Sequence, residues 1–131
     1  MKVLLDTHIA VWVILDSPRL TERARDLISA PGTEVYVSAV SLWEIAIKHG
    51  LNRTGPNAMP ISGRQAHAWF EASNFRTLPV TDAHAVAVEA LPPHHSDPFD
   101  RLLIAQARTE PMRLLSHDAA LAAYGELVVA V

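Results

Sequence analysis

The chain has 131 residues and no cysteine, so neither a disulfide framework nor a thiolate metal site is available to it. It also lacks a basic excess. The net charge of −3 sits awkwardly with nucleic-acid binding, because phosphate contacts call for a basic face. No apolar run is long enough to span a bilayer. The N-terminal stretch MKVLLDTHIAVWVILD opens like a signal peptide, with one lysine before apolar residues. Asp6 and His8 interrupt it, however, and no small-residue cleavage pattern follows. There is no internal repeat and no low-complexity tract. These absences point to a cytoplasmic protein with no membrane association.

What is present suits one compact domain over residues 1–131: half the residues are apolar and 19% are charged, and a chain of this size can bury a sizeable core. Strand-length apolar runs alternate with helical segments, as in α/β units. Val3-Leu4-Leu5 reads as a strand buried on both faces, followed by helix over His8–Leu15. Thr21 caps a helix to Ala30, and Glu34–Ser38 is a second strand. Helix is expected over Ala39–His49, closed by Gly50, then a loop over Asn52–Gly63. Arg64–Ser73 is helical. Arg76–Val80 forms a short strand, and Thr81 caps a helix to Leu91. Asp97-Pro98 opens the clearest helix, to Thr109. Met112–Ser116 and Leu127–Val129 are strands, with a short helix over Asp118–Tyr124 between them. The expected fold is a three-layer α/β/α sandwich around a mostly parallel sheet of about five strands.

Ligands of open α/β sheets bind outside the carboxyl ends of the strands. Asp6 ends the first strand, and Asp118 follows the Met112–Ser116 strand. Glu44 lies early in the helix after the second strand. Asp97 and Asp100 open the helix that precedes the Met112 strand. A parallel sheet brings all these junctions to one edge, which random placement of 14 acids would seldom do. Clustered carboxylates repel one another without a cation, and hard oxygen ligands without cysteine select Mg²⁺ or Mn²⁺. The chemistry that fits is metal-assisted phosphodiester hydrolysis, with one ion or two. With these five acids assigned to a metal, nine others remain against eleven bases, a remainder of +2. Charge therefore permits an RNA substrate.

Each acid also has a structural reading. Asp6 fits as a helix N-cap. Ser41-Leu42-Trp43-Glu44 spells a capping box, unless Ser38 is the cap and Glu44 lies inside the helix. Asp97 fits an N-cap with Pro98 at the first helical position and Asp100 in the first turn. Asp118 fits as the cap of the next short helix. It is the joint arrangement that favours chemistry.

These motifs resemble those of the PIN-domain ribonucleases, most closely the VapC-type toxins of bacterial toxin–antitoxin pairs, over nearly the whole chain. Leu4-Leu5-Asp6-Thr7-His8 resembles the opening motif, and Val40–Lys48 the second, with Glu44 in the acidic position. Asp97-Pro98-Phe99-Asp100-Arg101-Leu102-Leu103-Ile104-Ala105-Gln106-Ala107 is the most specific match. Leu115-Ser116-His117-Asp118 resembles the fourth motif. The resemblance implies a Mg²⁺- or Mn²⁺-dependent endoribonuclease toxin, a homodimer and a cognate VapB-type antitoxin. It implies Asp6, Glu44, Asp100 and Asp118 as catalytic acids, with Asp6, Asp97, Asp100 and Asp118 as metal ligands; Asp100 is favoured over Asp97 as the direct one. The alternative is a catalytically silent PIN-like module acting in a protein complex. A phosphatase or receiver-like domain ranks low, because no Asp-x-Asp follows the first strand.

Supporting roles fall to nearby residues. Thr7 and Ser116 offer hydroxyls for a metal-bound water. Lys48, one turn after Glu44, either pairs with it or meets phosphate, and Arg101 either reaches substrate from the rim or is simply solvated. Of seven histidines, His94 and His95 could touch phosphate, and His8 and His117 flank cluster acids; His49, His67 and His84 show no ligand spacing. Trp12, Trp43 and Trp69 pack by default. Trp12 and Trp43 also suit an antitoxin groove or a dimer seam.

Overall fold

A computed structural model of the chain describes residues 1–51 and 54–131. Five strands, β1 (Lys2–Leu5), β2 (Glu34–Ser38), β3 (Arg76–Leu78), β4 (Arg113–Ser116) and β5 (Val128–Ala130), form a sheet in the order β3-β2-β1-β4-β5. Every pairing is parallel. The chain winds outward from β1 through β2 and β3, then returns to lay β4 against the other side of β1. The order therefore reverses between β1 and β4, where an α/β sheet opens a crevice at its carboxyl edge.

Side chains alternate across the sheet, as the pleat requires. Val3, Leu5 and Leu115 face one core with Ile9, Ala24, Ala66 and Phe70, so α1 (Thr7–Leu15), α2 (Glu22–Ser29) and α4 (Gly63–Ala72) cover that side. Leu4 and Leu114 face the other with Leu103, Ile104, Ala105 and Ala107 of α6 (Pro98–Thr109), beside which α5 (Asp82–Ala87) packs. Helix α3 (Ala39–Gly50) serves both layers, placing Ile45 in the first core and Val40 in the second. Such strands, buried on both faces, need the continuous apolar runs seen in the sequence.

Several boundaries differ from expectation. Gly50 is the last helical residue rather than the closing turn; Leu51 ends α3, its N–H donating to the Ile47 and Lys48 carbonyls. β3 stops at Leu78, and the segment capped by Thr81 breaks after Ala87 into a 3₁₀ turn over Val88–Ala90. Asn52 and Arg53, part of the expected loop, lie outside the described residues; Gly55–Asn57 forms a 3₁₀ turn. Gly63, expected at that loop's end, instead begins α4. A Cβ there would stand 3.0 Å from the Ala46 Cβ and 3.4 Å from the Leu42 carbonyl. A side chain there would push α4 and the helix that carries Glu44 apart by a few tenths of an ångström, so glycine favours this close approach.

Candidate metal centre

Asp6 follows β1 directly. Its N–H donates to the Leu115 carbonyl at 3.0 Å, extending the β1–β4 contact by one residue. Oδ1 accepts the Ile9 N–H at 2.8 Å and so caps α1, while Oδ2 accepts the Ser116 hydroxyl at 2.5 Å. The same hydroxyl accepts the Asp118 N–H at 3.0 Å. One serine thus ties the ends of two adjacent strands together at the switch point. Asp118 in turn caps the 3₁₀ helix Ala119–Tyr124 by accepting the Ala120 N–H through Oδ1 at 2.9 Å.

Ser38, not Ser41, caps α3: its hydroxyl accepts the Val40 N–H at 3.0 Å. Glu44 therefore lies inside the helix, and the capping-box reading is set aside. Ser41 instead accepts the Thr7 hydroxyl at 3.0 Å, joining α3 to α1. Glu44 is only 5% exposed. Its Oε2 pairs with Lys48 Nζ at 2.6 Å. Its Oε1 is buried and finds no hydrogen-bond partner among the described residues.

The doubled acids of α6 divide their duties. Asp97 is the N-cap, its Oδ1 accepting the N–H groups of Phe99 and Asp100 at 2.8 and 3.1 Å. Asp100 Oδ2 meets His95 Nε2 at 2.8 Å, and the same nitrogen lies 3.8 Å from Asp118 Oδ2. Burial holds the Asp6 carboxyl above its ordinary range despite the Ser116 and Ile9 hydrogen bonds, and the charge of Glu44 adds to the rise. Burial likewise raises Asp100; the His95 hydrogen bond opposes this, while the charges of Asp97 and Asp6 reinforce it. Asp6, Glu44, Asp97 and Asp100 thus share one repulsive field across three junctions of the fold.

Other expected site residues land differently. Thr7 and Ser116 spend their hydroxyls on Ser41 and Asp6 rather than standing free for a water. Arg101, expected at the substrate rim, turns inward: its guanidinium donates to the carbonyls of Pro92, His95 and Val88 and to the Tyr124 hydroxyl, at 3.2–3.4 Å. It acts as a clamp on the segment that carries His94 and His95. His94 packs edge-on against Tyr124. His8 stacks on Trp12, which meets His117 edge-to-face. Trp12 also lines a cleft of about 450 Å³ with His8, Arg19, Lys48, Leu51 and Met59. Trp43 is 59% exposed and leans on Phe99, whereas Trp69 packs with Phe70 and Phe75.

Two buried groups carried no sequence signal. Gln106 accepts the Ser38 hydroxyl at 2.5 Å and donates to the Pro79 carbonyl at 3.2 Å. His84 accepts the Thr81 N–H on Nδ1 at 3.0 Å, so its Nε2 carries the proton donated to Glu110 at 2.6 Å. Together they lock the start of α3 to α5 and α6. His95 was visible only as a neighbour of the Asp97 motif, and nothing in that spacing announces its place between Asp100 and Asp118.

The donor set fits a divalent cation. A buried carboxylate oxygen without a partner is costly, and the Glu44 Oε1 has that status beside other carboxylates whose charged forms are disfavoured. A cation would satisfy that oxygen and relieve the shared repulsion. Among the described residues, one possible ligand atom each of His95, Asp100 and Asp118 lies within 4.8 Å of the others, while the charge of Glu44 acts on Asp6 and that of Asp6 on Asp100.

Comparison with known proteins identifies the family and the fold. The PIN domain family matches residues 3–127. Ribonuclease VapC22 of Mycobacterium tuberculosis is 33% identical over 119 residues, covering 88% of this chain and 86% of that protein. The crystal structure of VapBC2 from Rickettsia felis, bound to a DNA fragment from its promoter, is similar with a TM-score of 0.68 at 15% identity, covering 100% of this chain and 98% of that one. A toxin–antitoxin complex from Klebsiella pneumoniae is similar with a TM-score of 0.66 at 17% identity, covering 98% and 96%. The matched residues include the strand ends that carry Asp6 and Asp118, and the chain belongs to the PIN domain family.

Proposed function

We propose that the chain is a Mg²⁺- or Mn²⁺-dependent endoribonuclease, acting in the cytoplasm as the toxin of a toxin–antitoxin pair, with residues 1–131 forming one nuclease domain. What supports this reading is a chain of neighbouring acids: the charge of Glu44 acts on Asp6 and that of Asp6 on Asp100, Ser116 joins Asp6 to Asp118, and a buried Glu44 oxygen has no partner among the described residues. The 33% identity to a protein named as a ribonuclease supplies the substrate class.

When bound, a divalent ion supplies Lewis-acid chemistry, lowering the pKa of an attacking water and offsetting charge on the phosphodiester. The chain's own groups prepare the place. Ser116 and the Ile9 amide fix both oxygens of Asp6, so that carboxylate offers ligand atoms in one orientation. Lys48 holds Glu44 by one oxygen and leaves the other buried without a partner among the described residues. Asp100 and Asp118 stand nearer solvent, where a phosphate of the substrate enters. Arg19 lines the adjoining cleft and provides local positive charge that the net −3 conceals, while the charge of Lys48 is engaged by Glu44.

A VapB-type antitoxin and a second copy of the chain are the proposed partners. Trp43, Ile47 and Leu51 recur every fourth residue at the end of α3, all exposed, which puts them on one face. An exposed apolar stripe of this kind suits a protein interface, and the Klebsiella pneumoniae structure of similar fold is a toxin–antitoxin complex. No helix among the described residues is long and apolar enough to cross a membrane.

The test is incubation of purified protein with tRNA, rRNA and mRNA in Mn²⁺ or Mg²⁺, with and without EDTA. Cleavage that the chelator abolishes is expected. Its absence across all three RNA classes would leave a silent module that acts by binding alone.

A further inference from the structure

We propose that His95 is a nitrogen ligand of the metal centre, making its outer half a mixed imidazole–carboxylate site that prefers Mn²⁺ to Mg²⁺; this rests on reading the acid cluster as a metal centre. His95, Asp100 and Asp118 each offer an atom within 4.8 Å of the others. Two neighbouring ligand atoms on a six-coordinate ion with bonds of about 2.1 Å lie about 3 Å apart, and opposite ones about 4.2 Å. His95 Nε2 is 2.8 Å from Asp100 Oδ2 and 3.8 Å from Asp118 Oδ2. Both distances from the imidazole nitrogen fall close to the range that ligands of one ion span.

The imidazole is also built into place. Arg101 donates to the carbonyl of His95 at 3.3 Å and to that of Pro92 at 3.2 Å. Tyr124 donates its hydroxyl to the same Pro92 carbonyl at 2.9 Å and packs against His94. These contacts hold both ends of the short segment that carries His95, so the ring needs little further ordering to coordinate. The unpartnered Glu44 oxygen, buried in the same carboxylate field, is the independent sign that the cluster lacks a cation-sized partner. Mg²⁺ favours all-oxygen surroundings, whereas an imidazole raises affinity for transition ions. His95 therefore sets which metal the centre takes.

The test uses tag-free, chelator-stripped full-length protein loaded with Mn²⁺. Pulsed EPR of the bound Mn²⁺ is expected to show ¹⁴N modulation from a directly bound imidazole, absent in His95→Ala and retained in His94→Ala. Titration should show Mn²⁺ affinity falling about tenfold or more in His95→Ala, as loss of a metal-orienting or ligating group does, while Mg²⁺ affinity changes less. Unchanged thermal melting of the metal-free variant establishes that the fold is intact; if it melts early, His95→Gln, which keeps a polar contact to Asp100, replaces it. Mn²⁺ bound without nitrogen modulation, or with modulation that survives His95→Ala, overturns the proposal and leaves the nuclease reading standing. RNA cleavage that persists in EDTA overturns the metal-dependent mechanism instead, whatever the spectrum shows.

Discussion

The inner and outer halves of the acid cluster are built differently. Asp6 and Glu44 are 4% and 5% exposed, and each has at least one oxygen fixed by a partner at 2.5–2.8 Å. The side chains of Asp100 and Asp118 are 23% and 41% exposed, and one oxygen of each faces a single histidine. The inner half is rigid, dry and electrostatically loaded. The outer half is open to solvent. A site that binds a charged polymer yet holds a small cation needs both: preorganised ligands where water is excluded, and open positions where phosphate arrives.

The largest effect expected from breaking this contrast is at its rigid end. Asp6→Asn keeps the helix cap, since Asn caps about as well as Asp, but removes the charge. RNA cleavage should fall by at least about a thousandfold with melting in EDTA unchanged, and the rise in melting temperature that Mn²⁺ gives the parent should vanish. Retained cleavage in the folded variant would refute the mechanism. A second comparison separates the α6 acids. Asp100→Asn should lose cleavage by about a hundredfold or more, whereas Asp97→Asn, which still caps α6, should lose less than about tenfold. Equal losses, measured at saturating Mn²⁺, would show that the two share the ligand role.

The third prediction concerns pH. Asp6 and Asp100 hold protons more tightly in the folded state than their ordinary value of 3.8 implies. Between that value and their raised ones the folded chain carries more protons than the unfolded chain, so the metal-free protein loses stability as pH rises through that window. A cation takes the deprotonated carboxylates, so its affinity should climb over the same window, by up to about tenfold per pH unit for each proton displaced, and level off above it. Calorimetry in buffers of different ionisation heat would count those protons; none released would remove Asp6 and Asp100 from the centre. The smallest effect belongs to Ser116→Ala. It frees Asp6 Oδ2 and the Asp118 amide, and should cost about 1–2 kcal/mol of stability by chemical denaturation with a severalfold weaker Mn²⁺ affinity.

Much of this was legible along the chain because its signals are local. A cap and the amide it accepts lie within three residues, so Asp97-Pro98 fixes the start of α6 and Thr21 that of α2 without reference to the rest of the fold. Continuous apolar runs mark β1 and β4 as doubly buried, and with them the positions of Asp6 and Asp118. The same local grammar left Ser41–Glu44 open. Two serines three apart both fit a cap, and the choice of Ser38 is reinforced by Gln106, 68 residues away. Arg101 reads as a substrate cation because charge is visible in a sequence, while the carbonyls that occupy it are not.

The sequence by itself determined which residues end strands and begin helices, that no cysteine site exists, and that the acids near those junctions suit a hard cation. Only the tertiary structure decided how they meet. Ser116 reaches Asp6 across 110 positions because β4 returns to pair with β1, and strand order is a property of the packed sheet rather than of any segment. The acid set is thereby sorted: Asp6 and Glu44 are buried, Asp97 is engaged in capping, and Asp100 and Asp118 face a histidine that proximity along the chain does not explain. Burial and pairing depend on what the rest of the chain places alongside, so the final composition of the centre was fixed only when the sheet closed.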